Sequence, residues 1–328
     1  MERLKILITG ATGFVGANLA RYFHGKGHTL AVTLRHNSNA WRIDDLLDDV
    51  KTFRIDLADK DSASSLFENF KPDVAIHTAA FGGYHFESGT KQILDVNLYG
   101  TINLVDSFVR FGDGVFINTG SSSEYGFKDR PMKESDILKP YSPYAVSKAS
   151  ATLYSGYKAI ETGKRIFTLR LFSPYGYYEE MHRLVPCLLI SAITHKTAKL
   201  NNPANMRDYV FIGDVSKAYE TLINKSIGLG GGEIFNVGSG NEIPVGDMVK
   251  FAEEASGHSL EVEWGANEQI VGNKAVHWVA DISKIKRDLG WSPETSIQTG
   301  LAKSYKWFAE NISKYEVIEN SKIGRTGK

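Results

Sequence analysis

The sequence predicts a doubly wound α/β fold, an open parallel sheet with helices on both faces and a smaller interleaved C-terminal domain capping it. Three observations carry this expectation. Short apolar runs alternate with amphipathic stretches through the first half of the chain, the pattern of strand–helix–strand units. A glycine-rich turn, Gly10-Ala11-Thr12-Gly13-Phe14-Val15-Gly16, follows the first run and opens the first helix. After Phe172 the alternation loosens into a stretch rich in Pro, Tyr and Asn, and core-like runs return at Tyr209.

Leu4–Thr9 reads as a buried strand and Phe14–His24 as a helix that Gly25 and Gly27 end. His28–Leu34, Val50–Arg54 and Val74–His77 follow as strands two to four. Asp95–Phe111 is a long helix, Val115–Thr119 the fifth strand, Pro143–Glu161 another long helix, and Arg165–Leu171 closes the series. Ser173–Arg207 holds one helix-like piece at Val185–His195. Tyr209–Ile223 and Glu233–Val237 read as core, and Ile297–Phe308 as a late helix. The division expected is one domain over 1–172 and 209–238, a second over 173–208 and 239–315, and a tail at 316–328. Lys322, Arg325 and Lys328 among small polar residues suggest that this tail is frayed.

The chain of 328 residues carries 38 basic and 38 acidic side chains, so no global field draws it to nucleic acid or an anionic membrane. Cys187 is the one cysteine, which excludes an internal disulfide and fits a reducing compartment. The first residues run into a strand without a signal-peptide core, and no stretch reaches membrane-spanning length. A cytoplasmic protein is expected. The histidines lack paired ligand spacing, so no metal site is expected.

In the glycine turn, Gly10 permits the bend, Gly13 lets backbone approach a pyrophosphate, and Gly16 allows close helix–strand packing. The helix that follows offers free N–H groups and a favourable dipole. Farther on, Tyr144 and Lys148 stand four apart and share a helical face. A phenol with a pKa near ~10 is a poor acid–base catalyst at neutral pH, and an adjacent fixed cation lowers that value. Upstream lies Gly120-Ser121-Ser122-Ser123-Glu124-Tyr125-Gly126.

With Thr9-Gly10-Ala11-Thr12-Gly13-Phe14-Val15-Gly16, Ser121, Tyr144 and Lys148, the chain resembles the extended short-chain dehydrogenase/reductases, in their nucleotide-sugar epimerase/dehydratase/reductase branch. The resemblance spans Leu4 to Phe308 and implies a Rossmann-like fold. It implies that Tyr144 exchanges a proton with the sugar oxygen, that Lys148 bonds the nicotinamide ribose, and that Ser121 bonds the reacting oxygen. It places Gly10, Thr12, Gly13, Phe14 and Val15 at the dinucleotide, with Asp56-Leu57 near the adenine and Ala79-Ala80 beside the cofactor. Asn97 matches a helix position that supports the active-site backbone and is counted with the cofactor contacts. Arg207 matches the arginine that grips the nucleotide diphosphate and Arg183 the segment closing over the nucleotide, and Ser122 and Ser123 are counted with them as substrate contacts. Ser173 replaces the usual Asn of the preceding loop. The long helices Asp95–Phe111 and Pro143–Glu161 imply a homodimer.

NAD-preferring folds place an acidic residue at the end of the second strand. Here that strand ends Thr33-Leu34-Arg35-His36-Asn37-Ser38, and Asp44 comes too late. Arg35, helped by Ser38 or Arg42, suits a 2′-phosphate, so NADP(H) is favoured over NAD(H). Dehydratases of the branch follow the catalytic Ser/Thr with carboxylates. Ser122 and Ser123 hold those positions, and only a one-residue shift brings Glu124 inward. Bifunctional epimerase-reductases use a Cys and a His, where this chain has Ser123 and the positional candidate His182. The reading favoured is a reductase of a 4-keto-6-deoxy nucleotide sugar. The alternatives are a 4-epimerase holding NAD, a 4,6-dehydratase, or a non-catalytic nucleotide sensor.

Overall fold

The computed structural model describes residues 3–83, 89–265 and 277–323. Strands β1 (Lys5–Thr9), β2 (Thr29–Leu34), β3 (Lys51–Arg54), β4 (Val74–His77), β5 (Val115–Ser121) and β6 (Arg165–Leu171) join the edge strand Ile234–Val237 in one parallel sheet. Its order is Ile234–Val237, β6, β5, β4, β1, β2, β3. The helices are α1 (Phe14–Gly25), α2 (Lys60–Phe70), α3 (Thr90–Leu94), α4 (Gly100–Phe111), α5 (Pro143–Thr162), α6 (Leu184–Thr194), α7 (Ile212–Lys225), α8 (Val245–Ser256), α9 (Ser283–Leu289) and α10 (Ile297–Ile323). This is the doubly wound, Rossmann-like architecture expected from the sequence.

The pleat explains why the central strands are apolar throughout. Ile6 and Ile8 pack in one cluster with Leu19 and Phe23 of α1 and Val215 and Leu222 of α7. Leu7, pointing the other way, packs with Leu66 and Phe67 of α2 and Leu104 and Phe108 of α4. After β3 the chain returns to the opposite side of β1 as β4, so strand order reverses between β1 and β4. Connections on the two sides diverge there, leaving a crevice at the carboxyl ends.

Four stretches differ from expectation. Helix α2 has no counterpart in the sequence reading, although Asp59 caps it by accepting from Ser62 N at 3.1 Å and Ala63, Leu66, Phe67 and Phe70 are buried at helical spacing. The single helix expected at Asp95–Phe111 begins earlier, at α3, and contains a π-helical turn, Asp95–Tyr99, before α4. Helix α8 forms where the pattern looked mixed. Helix α10 runs past Phe308 to Ile323, so much of the stretch expected as a frayed tail is helical. Tyr315 anchors it, buried against Trp41, Trp307 and Phe308 with its hydroxyl donating to Glu179 O. Arg325 and Lys328 lie outside the described residues. Among the described residues no helix is long and apolar enough to cross a membrane.

Helices α6, α8 and α10 pack on one another, and with the parallel pair Ala198–Leu200 and Val262–Trp264 they make a smaller layer. Its core is continuous with that of the sheet.

Candidate active site

Sheet register brings Thr9 of β1 beside His77 of β4. Gly10 then turns the chain at φ +73°, a conformation that favours glycine, and a Cβ there would lie 2.5 Å from Ala79 N. Gly16 lets α1 close on the turn, since its Cβ would meet Gly10 O at 2.3 Å. Gly10→Ala is expected to destabilise the fold by on the order of 2–4 kcal/mol, checked by chemical denaturation.

Gly13 is the N-cap of α1, which has no side-chain cap and no acidic residue in its first turn. Thr12, Phe14 and Val15 flank this open helix terminus. Uncapped N–H donors with no competing carboxylate suit a dinucleotide pyrophosphate, so the residues present fit that group. Arg35 is exposed at the end of β2, and its N–H donates to Ser38 Oγ at 2.9 Å. Asp56 is exposed and accepts from Ala58 N at 2.9 Å. Ala80 is exposed and Ala79 half-buried after β4.

Four further sequence candidates take the following places. Asn97 is fully buried and supports the backbone after β4, as its position implied, rather than presenting its amide to a cofactor: Oδ1 accepts from Phe81 N at 2.7 Å, while Nδ2 donates to Phe81 O at 2.8 Å and Ser147 Oγ at 2.9 Å. Leu57 turns its side chain into the core between α2 and α4. Arg42 is engaged as a brace, donating to Tyr178 O at 2.7 Å, Thr12 O at 3.2 Å and Glu180 Oε2 at 3.3 Å. Asn18 adds a second tie, donating to Phe14 O and Tyr177 O. Ser122 is buried, and its Oγ accepts from Trp278 Nε1 at 2.8 Å, which takes it away from a substrate's reacting carbon.

Ser121 ends β5 and caps a short 3₁₀ turn. Its Oγ accepts from Ser123 N at 3.2 Å and lies 2.8 Å from Ser123 Oγ, while Glu124 Oε1 accepts from Ser121 N at 2.8 Å. Glu124 therefore faces inward beneath this shelf, fully buried. Thr152 Oγ1 donates to it at 3.1 Å and Arg170 Nε at 2.7 Å. Arg170 is itself buried and donates onward to Tyr125 OH at 2.9 Å. With both oxygens occupied, Glu124 is not presented to a substrate. The sequence signal was a carboxylate beside a serine; its partner, Arg170, is 46 residues away.

Ser142 caps α5 by accepting from Ala145 N at 3.1 Å, Pro143 starts the helix, and one turn separates Tyr144 from Lys148. Lys148 is buried, and burial pushes its pKa down to about 8 against the opposing pull of Glu124. Gly83 lies against the Tyr144 ring: a Cβ built on it would be 3.7 Å from the ring edge. Arg183 donates to Gly83 O at 3.3 Å, joining the segment before α6 to this wall.

Under the site runs a row of hydrogen bonds that sequence reading missed. Thr101 gives its proton to Asn97 O at 2.6 Å, so it accepts from His77 Nε2–H at 3.0 Å. Nδ1 of His77 then accepts from Thr9 Oγ1 at 2.7 Å. Burial, with the Lys148 charge adding to it, pushes the His77 pKa down to about 3, so the ring is neutral. From Asn97 the row continues to Ser147, whose hydroxyl donates to Tyr144 O at 2.8 Å.

On the far side, Arg207 is half-buried with its guanidinium over the Trp278 ring at 5.5 Å. Burial lowers its pKa, and the nearby Arg183 charge lowers it further. The two guanidinium charges thus lie near enough to act on each other, and a neighbouring pair of cations suits a diphosphate. Asp208 holds the adjoining turn, accepting from Gly240 N and Ala280 N at 3.0 Å each. Among the described residues no group of three or more His, Cys, Asp or Glu is arranged to hold a metal.

Residues 6–238 match the family model described as the NAD dependent epimerase/dehydratase family. The chain belongs to this family. The match bears out the resemblance to extended short-chain dehydrogenase/reductases and makes the protein an enzyme of the nucleotide-sugar epimerase/dehydratase group. This family member is 28% identical to a UDP-glucuronate 4-epimerase of Thermodesulfobacterium geofontis, over 97% of this chain and 99% of that one. It is 24% identical to a dTDP-glucose 4,6-dehydratase of Shigella flexneri, covering 98% and 96% of the two chains. It also resembles the solved UDP-glucuronic acid 4-epimerase of Bacillus cereus, in complex with UDP-glucuronic acid and NAD. That likeness has a TM-score of 0.81 at 24% identity, covering 94% of this chain and 99% of the other.

Proposed function

We propose that this family member reduces the C4 keto group of a 4-keto-6-deoxy nucleotide sugar, with NADPH as the co-substrate. The observation that carries the reductive reading is Arg35, exposed at the end of β2 with no Asp or Glu following it before Asp44. A 2′-phosphate meets a guanidinium there, whereas a free 2′-hydroxyl calls for a carboxylate. When bound, the dinucleotide supplies the hydride for C4.

The chain's own residues do the rest. Tyr144 gives its phenolic proton to the C4 oxygen, and Ser121 donates a hydrogen bond to the same oxygen. Lys148 stabilises the phenolate that Tyr144 leaves behind. Arg183 and Arg207 hold the diphosphate, and Ser123 keeps the Ser121 hydroxyl oriented. Elimination of water finds no support in the positions where a dehydratase carries carboxylates, because Ser122 and Ser123 occupy them and Glu124 is bound to Arg170. Homodimerisation belongs to the same reading: Val146, Leu153, Tyr157 and Ile160 are exposed along α5.

A second reading, a 4-epimerase retaining NAD, is favoured by the full-length similarity to the UDP-glucuronate 4-epimerase. The two part on cofactor exchange. The reductase is expected to purify without stoichiometric dinucleotide and to prefer NADPH in titration. Arg35→Asp is expected to weaken NADPH by at least about 30-fold, through loss of a charge-assisted phosphate contact, and to tighten NADH, whose 2′-hydroxyl the new carboxylate suits. Stoichiometric NAD that does not exchange, with no effect of Arg35→Asp, overturns the reductase in favour of the epimerase.

A further inference from the structure

Phe127, Tyr141 and Trp278 form an aromatic box that the hydride chemistry does not use. Phe127 and Tyr141 stack at 4.7 Å between centroids, and both meet the Trp278 ring edge-on, at 5.8 and 6.2 Å. Trp278 is buried, but Phe127 is 42% and Tyr141 53% exposed. An exposed pair of stacked rings backed by a fixed third ring is unusual for a loop surface.

The position of the box is set from two sides. Trp278 donates to Ser122, the residue after Ser121, and carries the Arg207 guanidinium over its face. Tyr141 precedes the cap of α5 and stands three residues before Tyr144; its phenol also lies near enough to Arg207 to act on that charge. If Arg207 holds the diphosphate and Ser121 with Tyr144 hold the C4 oxygen, the hexose must span the interval that the box borders. Aromatic faces suit the C–H surface of a sugar, and a hydroxyl driven against them loses hydrogen bonds that the rings do not replace.

We propose that Phe127, Tyr141 and Trp278 form the sugar subsite and select a deoxygenated hexose over a fully hydroxylated one. This inference rests on the nucleotide-sugar reading given above, and the test separates the two. The probes are UDP, dTDP, CDP and GDP, each alone, linked to glucose, and linked to 4-keto-6-deoxyglucose. Their affinities for wild type, Phe127→Ala, Tyr141→Ala and Trp278→Phe are read by titration calorimetry. Wild type is expected to prefer the deoxy sugar of one base. Phe127→Ala and Tyr141→Ala are expected to weaken that ligand by about tenfold and to narrow its margin over the hydroxylated sugar, while the bare diphosphate binds as before. Unchanged diphosphate affinity also reports that each variant is folded. An unchanged margin in all three variants overturns the subsite, and so does an equal loss for diphosphate and sugar, which would mark the box as a base-stacking site. If wild type binds no nucleotide of any base, the nucleotide-sugar reading itself falls and takes the subsite with it.

Discussion

Tyr144→Phe is expected to cut turnover by at least about a thousandfold while changing dinucleotide affinity little. The ring against Gly83 is preserved and only the proton carrier is removed. Nicotinamide absorbance follows the reaction, and near-normal turnover in the variant would rule out the phenol as the acid. Lys148 gives the companion pH dependence. Below about pH 8 its ammonium is charged, so it can stabilise a developing phenolate. Reduction is therefore expected to slow as pH rises through that value. Stability runs the other way. The buried lysine titrates near pH 8 and an unfolded one near 10.5, so the unfolded chain holds more protons between those values. The folded state gains as pH rises across that window and is most penalised by this residue below it. The site is thus least stable where it is most competent.

The second large effect is structural. Arg170→Met leaves the Glu124 carboxylate buried and deprived of its ion-pair partner, an expected loss of about 3–5 kcal/mol. Combining it with Glu124→Leu removes the stranded charge and is expected to restore much of that loss, because a buried pair replaced by packed apolar groups is often nearly neutral. Denaturant melts of the two single variants and the double variant measure the coupling. Arg170→Met within 1 kcal/mol of wild type would mean that water or relaxation already screens Glu124. The double variant also separates stability from chemistry, since it removes the charge that helps keep Lys148 protonated.

What the sequence showed was whatever lies close together along the chain. The glycine turn, the Tyr144–Lys148 spacing and Ser121 are local patterns, and the strands are short apolar runs bounded by polar turns. Helix α2 carried an equally local signal, Asp59 as cap followed by Ala63, Leu66, Phe67 and Phe70. Its serines and charges on the solvent face diluted the pattern. The pairs that define the site are not local. Glu124 meets Arg170, Ser122 meets Trp278 across 156 residues, and Thr9 meets His77 across 68. Sheet register and the interleaved segments bring these together, and nothing in a single window announces them. Asn97 illustrates the difference: its position in a helix was legible, but the π-helical turn that buries its amide was not.

Thr9, His77, Thr101 and Asn97 stitch the neighbouring strands β1 and β4, whose connections diverge to make the crevice, to the helical segment behind them. Each proton in that row has one direction to go, and a ring that stays neutral through the mild acid range cannot be charged apart from its neighbours. Side-chain hydrogen bonds therefore tie the floor of the cleft together. Ligands must come and go past its walls, and Asn18 and Arg42 tie the wall formed by Gly176–Arg183 to the glycine turn and the start of α1. A wall that moved would bend those ties, whereas the row from Thr9 to Ser147 lies beneath it.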